Sequence, residues 1–217
     1  MSEPLVVLLH GLARRHGSLA VLGRRLEAGG HRTWARTYPS RRLPIDEAAR
    51  AVADWIAEAA GDRPVDAVTH SLGGILVRHM HDPRLNWRRI VMLAPPNQGS
   101  ATAAALVEQP MFRWFYGPAG VALADGAGWP PPPAPFAVIA GNRGLSIGNP
   151  VSWTAGLRFP RGEPSDGTVL VAETRLPGMA AFAEVDATHT WIMNHPTVAE
   201  LALDFLAHGE FTRKMEP

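Results

Sequence analysis

A chain of 217 residues is one domain of ordinary size, able to bury about 70% of its unfolded surface. With 46% apolar and 19% charged residues it is globular rather than disordered, and a net charge of +1 argues against a nucleic-acid partner, which requires a strongly basic face. The absence of cysteine excludes disulfides, thiolate metal sites and cysteine nucleophiles.

The first residues, Met1-Ser2-Glu3-Pro4, carry no basic leader. The apolar run that follows, Leu5 to Leu9, is too short for a signal peptide or a membrane span. The expectation is a cytoplasmic protein with no stable membrane insertion. Leu5-Val6-Val7-Leu8-Leu9 has the unbroken apolar pattern of a parallel strand covered on both faces, and it ends at His10-Gly11-Leu12. Residues 17–28 read as a helix with Leu19, Leu22 and Leu26 on one face and Gly29-Gly30 as its stop. A second strand fits residues 31–37. After an Arg- and Pro-rich loop, Asp46 is placed to cap a helix over residues 47–60 with Ala48, Val52, Trp55, Ile56 and Ala59 along its apolar stripe.

Val65-Asp66-Ala67-Val68 then leads into Thr69-His70-Ser71-Leu72-Gly73-Gly74, which is followed by the helix-compatible run Ile75 to Met80. A serine set between a buried strand and a helix, among small residues, has the layout of a nucleophile elbow. The sharp turn projects the hydroxyl into open space, with the free N–H groups and positive dipole end of the helix behind it. Thr69 stands where that signature usually has glycine. The position needs a small residue, and the threonine hydroxyl is expected to find a local partner. A fourth strand fits Ile90 to Ala94 and ends at Pro95-Pro96-Asn97-Gln98-Gly99-Ser100.

Residues 100–134 break the alternation of strand and helix. They hold a helix pattern at 101–107, the aromatic group Met111-Phe112-Arg113-Trp114-Phe115-Tyr116 and the closing run Trp129-Pro130-Pro131-Pro132-Pro133. Aromatics bounded by Gly and Pro between two strands read as a cap or lid insertion, the alternative being a plug in the core. A fifth strand fits residues 136–142, and a Gly/Pro-rich excursion runs from there to Pro164. Val169 to Arg175 is open between helix and strand. Ala181 to Val185 is the last strand, and Pro196 starts a closing amphipathic helix. The expected architecture is a three-layer α/β/α sandwich over a mostly parallel sheet of about six strands, a single domain spanning residues 1–217.

In an open parallel sheet the reactive groups gather beyond the carboxyl ends of the strands. Ser71 follows the third strand, Asp166 the fifth and His189 the sixth, and the order Ser, Asp, His belongs to this sheet type. A serine hydroxyl needs a general base, and the base needs a partner that fixes its tautomer. Ser71 as nucleophile, His189 as base and Asp166 as its partner meet that need. The rivals are weaker: Asp186 is too near His189 in sequence to reach its far nitrogen, Asp125 lies in the cap, and His195 is a helix-start or surface residue. His70 points away from Ser71 as a packed or hydrogen-bonded neighbour. His79, His81 and Asp82 read as charges at a helix C-terminus rather than a metal cluster. The backbone N–H groups of Leu72 and Leu12 are the expected oxyanion donors, with Gly11 letting the loop turn and His10 bracing it. Asn97 and Gln98 either shape the same cavity or form a plain polar loop. Gly11, Met111, Phe112, Trp114 and Phe115 are the expected substrate contacts. No metal and no cofactor are expected.

His10-Gly11, the Thr69–Gly74 hexapeptide, Pro95 to Ser100, Ser165-Asp166-Gly167 and His189 together resemble the α/β-hydrolase superfamily, in particular its small bacterial lipase and esterase branch. The resemblance covers nearly the whole chain. It implies a near-minimal α/β-hydrolase fold with a short cap, and a serine hydrolase acting on a small-molecule acyl ester through an acyl-enzyme on Ser71. Thioesterase, amidase or acyltransferase chemistry on a cytoplasmic metabolite is the alternative within the fold, and a non-catalytic binding protein the alternative outside it.

Overall fold

Six strands build the sheet in the computed structural model, which describes residues 2–144 and 162–212. They are β1 (Leu5–Leu9), β2 (Arg32–Ala35), β3 (Val65–His70), β4 (Trp87–Leu93), β5 (Phe136–Gly141) and β6 (Ala181–Val185). All pair in parallel in the order β2-β1-β3-β4-β5-β6. Most of the expected excursion after β5 lies outside the described residues. Strands β1, β3 and β5 are buried along their whole length because both faces are covered, which is why β1 and β5 are continuously apolar and the polar residues of β3, Asp66, Thr69 and His70, each have a hydrogen-bond partner. Val6 and Leu8 of β1 face α1 (Ala20–Ala28) and the closing helix, Pro196–His208, which we number α7; Leu5, Val7 and Leu9 face α2 (Ile45–Ala60) and α3 (Leu72–Arg78). Together these layers make the α/β/α sandwich.

The helices differ from expectation in instructive places. A short 3-10 turn, His16–Leu19, precedes α1 and takes up part of the expected helix. Pro44 rather than Asp46 stands at the N-cap of α2, because proline fits the first turn without losing a needed N–H. The Asp46 carboxylate accepts instead from His79 Nδ1 at 2.6 Å. Two helices, α4 (Ala101–Leu106) and α5 (Pro110–Ala122), fill the segment after β4, and α5 kinks at Gly117, whose φ is 65°. Only glycine fits there: a Cβ would sit 1.8 Å from Arg41 O. The ambiguous stretch after Val169 contains the single turn α6 (Val171–Thr174).

Strand β4 starts at Trp87, so it includes Arg88 and Arg89. Arg88 Nε donates to the fully buried Asp66 at 2.9 Å and its Nη2 makes a second bond to that carboxylate. The same guanidinium reaches Leu206 O at 2.9 Å, placing positive charge near the C-terminal end of α7. Among the described residues no helix is long and apolar enough to cross a membrane.

Because the strands are parallel, every strand ends on the same edge. The chain runs outward from β1 to β2, then returns to add β3 on the other side of β1. That reversal opens a crevice above the ends of β1 and β3, the place where ligands bind in open α/β sheets. His10 and Ser71 stand there.

Candidate active site

The turn at Ser71 follows directly from its neighbours. Ser71 has φ 52° and ψ −120°, a strained conformation for a residue with a Cβ. Its N–H donates to Leu93 O at 2.9 Å, and its carbonyl accepts from Gly74 N at 2.9 Å. A Cβ on Gly73 would lie 2.4 Å from Leu9 O, so glycine is what lets α3 start this close to β1. A Cβ on Gly74 would be 3.3 Å from Thr69 Oγ1. Thr69 therefore fits where glycine is usual because the helix beside it carries no side chain. Its hydroxyl donates to Val91 O at 3.4 Å, the local partner expected for it.

Three side chains meet beyond the strand ends. Ser71 Oγ donates to His189 Nε2 at 3.0 Å, and His189 Nδ1 donates to Asp166 Oδ2 at 2.6 Å. The other Asp166 oxygen accepts from the N–H groups of Thr168 at 3.0 Å and Val169 at 2.8 Å. His189 N also donates to Asp166 O at 2.9 Å, which stitches the two loops together. Ser71, His189 and Asp166 are all buried. The rival acids are elsewhere: Asp186 pairs with Arg143 in solvent, and Asp125 accepts from Ala127 N. His195 is the N-cap residue of α7. No cluster of metal-ligating side chains occurs among the described residues.

His70 is turned toward the histidine loop. Its Nε2–H donates to His189 O at 3.0 Å, so the imidazole is fixed by a backbone acceptor. Burial first, then the neighbouring His189 and Arg14, holds it well below the usual histidine range. A Cβ on Gly11 would lie 2.7 Å from His70 Nδ1 and 3.2 Å from Ser71 Cβ. Gly11 thus makes room for the site's own side chains and does not line the cavity, a correction to its expected place among the substrate contacts.

His10 is held on both nitrogens. Nδ1–H donates to Gly11 O at 2.9 Å, Nε2 accepts from Tyr38 N at 3.2 Å, and the ring stacks on Tyr38 at 4.1 Å. Protonation would set an N–H against the Tyr38 N–H. Burial, the largest cause, lowers its pKa to about 4. Between that value and the ordinary 6.5 the unfolded chain holds the extra proton, so stability is full at neutral pH and falls as pH drops toward 4. At about 1.4 kcal/mol per unit, His10 accounts for roughly 3 kcal/mol of that loss. Thermal melts at pH 7 and pH 5 should show it as a lower Tm at pH 5, with a smaller drop in His10→Asn. An equal drop in both proteins would remove His10 from this balance.

Leu72 opens α3, so its N–H has no intrahelical acceptor. The Leu12 N–H likewise has no backbone acceptor among the described residues, while Ala13 N, next to it, donates to Ser40 Oγ at 3.0 Å. Both free donors flank Ser71 in the crevice between β1 and β3.

A cavity of about 390 Å³ opens over Ser71 and His189. Phe112, Phe115, Tyr116 and Leu123 form one wall of it. Met111 and Trp114, expected beside them, are 79% and 83% exposed. Helical periodicity explains part of the split: residues 112, 115 and 116 share a side of α5 and 114 points away from it, while Met111, one turn before Phe115, sits at the edge of that side in the exposed first turn. Asn97 and Gln98 do not line the cavity either. Asn97 Nδ2 donates to Thr174 O at 2.8 Å and its Oδ1 accepts from the buried Arg78, so these side chains bind loops together. Sequence reasoning missed Tyr116 and Leu123 as individual contacts; Tyr116, one turn after Phe112, carries a signal in its spacing, whereas Leu123 lies beyond the Gly117 kink and carries none. It also missed Arg14 and Thr190, which no motif marks.

Comparison with solved structures shows the same fold in several proteins of low identity. A lipase from Bacillus licheniformis, in its mature form, matches with a TM-score of 0.76 at 18% identity, covering 94% of this chain and 91% of the lipase. A gene product from Listeria innocua matches at 0.62 with 15% identity, over 99% and 96% of the two chains. A pyrethroid hydrolase from Sphingobium faniae matches at 0.60 with 16% identity, over 95% and 98%. Among curated protein sequences none matches. The family model described as the alpha/beta hydrolase family matches residues 6–214, and the chain belongs to that family.

Proposed function

We propose that the protein is a serine hydrolase of carboxylic esters. The observation that carries this reading is the unbroken relay from Ser71 Oγ through His189 to Asp166, opening into a largely apolar cavity. The lipase and the pyrethroid hydrolase that share the fold support it. His189 Nε2 takes the Ser71 proton as Oγ adds to the ester carbonyl, and the Leu12 and Leu72 N–H groups receive the developing oxyanion. Collapse expels the alkoxide, which takes the proton back from His189 and leaves as the alcohol. Water, deprotonated by His189, then cleaves the acyl-enzyme and releases the acid. The Phe112–Leu123 wall takes the acyl chain. Residues 100–134 serve as a cap over the site rather than as a plug in the core.

The cavity volume lies toward the low end of the usual range for small-molecule sites. With nitrophenyl esters, kcat/KM is expected to rise from acetate to butyrate and to fall for palmitate. A fluorophosphonate probe should label the native protein at Ser71, read by peptide mass spectrometry. No turnover of any ester together with no label at Ser71 would sink the reading.

A further inference from the structure

Arg14 stands in the wall of the cavity that holds Ser71 and His189, and it is half-buried. Its backbone N–H closes the turn of the first loop onto Gly11 O at 3.3 Å. Its Nη2 donates to Thr190 O at 3.0 Å, so the guanidinium bridges the loop after β1 and the loop that carries His189. That is its one side-chain hydrogen bond among the described residues, and a guanidinium offers five donors. No carboxylate among the described residues pairs with it. Among the described residues no aspartate or glutamate lines the cavity, and Asp166 is occupied by His189, Thr168 and Val169. A cation drawn partly out of water without a counter-ion is costly, and the cost is visible in the lowered pKa of Arg14, whose cause is burial. At the cavity's aromatic edge Arg41 lies over the Phe115 ring at 5.0 Å, a second positive group on the approach.

We infer that Arg14 is the recognition point for an anionic group, a carboxylate or a phosphate, on the alcohol portion of the substrate ester. The inference rests on the hydrolase reading above. The assignment to the alcohol portion follows from where each half of an ester must lie. The leaving oxygen takes its proton from His189 Nε2, so the alcohol departs past the His189 loop, and Thr190 of that loop is the residue that holds Arg14. The aromatic wall formed by α5 lies with the acyl chain. An arginine fork binds carboxylate or phosphate through paired charged hydrogen bonds, which a neutral group of the same shape does not form.

The test compares 4-acetoxybenzoate with its neutral isostere 4-acetoxybenzamide, both hydrolysed to acetate and the free phenol, and adds 4-acetoxyphenyl phosphate as the phosphate arm. The native protein should favour the anionic esters in kcat/KM. Arg14→Gln, whose amide can still donate to Thr190 O, should cut that preference by about tenfold or more, and Arg14→Lys should restore part of it. Retention of the carboxylate preference without the phosphate one, or the reverse, identifies the natural anion. In parallel, binding of 4-hydroxybenzoate and 4-hydroxybenzamide is measured by calorimetry on Ser71→Ala protein with and without Arg14→Gln, each variant checked by a thermal melt. Equal binding of acid and amide, or a preference for the acid that survives Arg14→Gln, overturns the inference. An Arg14-dependent preference in binding with no hydrolysis of any ester strikes the hydrolase reading alone.

Discussion

Ser71→Ala is expected to lower kcat for a nitrophenyl ester by about 10⁶, and Ser71→Ala combined with His189→Ala to lower it no further. The first figure follows from chemistry: without Oγ no acyl-enzyme forms, and what remains is water attacking an ester held near the free N–H groups of Leu12 and Leu72. The second follows from geometry. His189 Nε2 lies 3.0 Å from Ser71 Oγ, and the imidazole has a task only while there is a hydroxyl to deprotonate. Groups that act as one unit are removed together by deleting either. Initial rates of the two single variants and the double variant, corrected for the uncatalysed reaction, decide the matter. Losses that multiply would mean that Ser71 and His189 act independently, and a single variant with near-native turnover would end the proposed mechanism. Ser71→Ala removes one hydroxyl from a strained turn, so a near-native melting temperature should accompany its loss of activity, whereas His189→Ala strips the buried Asp166 of a partner and should melt lower.

Much of this was legible in the sequence because parallel strands and catalytic loops leave local marks. Leu5 to Leu9 and Ala181 to Val185 were found residue for residue: the first is an unbroken apolar run covered on both faces, and the second is a short run bounded by the turn after Pro177 and by Asp186. Ser71, Asp166 and His189 could be picked out as a set, each standing after its own strand. Other features depend on contacts that sequence does not announce. The aromatic run at 111–116 is apolar around most of its circumference, Arg113 excepted, so its inward face is settled only where α5 packs, with Gly117 against Arg41. The N-cap of α2 shows two good signals in competition: Pro44 took the position, and Asp46 became a partner for His79. Arg14 gave no signal, because its meaning lies in a bond to Thr190, which sits at the far end of the chain. His70 shows partial legibility: a hydrogen-bonded neighbour was expected, but its partner, the backbone of His189, was not readable.

Asp166→Asn is the second large effect, a fall in kcat of about 10⁴ with substrate binding little changed. The carboxylate is buried and has divided its oxygens: Oδ1 accepts from the N–H groups of Thr168 and Val169, and Oδ2 accepts from His189 Nδ1. An asparagine would keep its carbonyl oxygen toward the two backbone donors, because an amide nitrogen there would face N–H groups. Its NH2 would then point at His189 Nδ1 and donate to it. That bond selects the tautomer with the proton on Nε2, the atom that must accept the Ser71 proton. The imidazole would remain in place with the wrong end protonated, and the charge that stabilises it as it becomes imidazolium would be gone. Asp186, three positions before His189, supplies the control. It is exposed and paired with Arg143, so Asp186→Asn should leave kcat unchanged. Steady-state rates for both variants, with Tm to show that the loops still pack, make the comparison. Asp166→Asn within tenfold of native activity, or a large loss in Asp186→Asn, would mean that the acid supporting His189 had been misassigned.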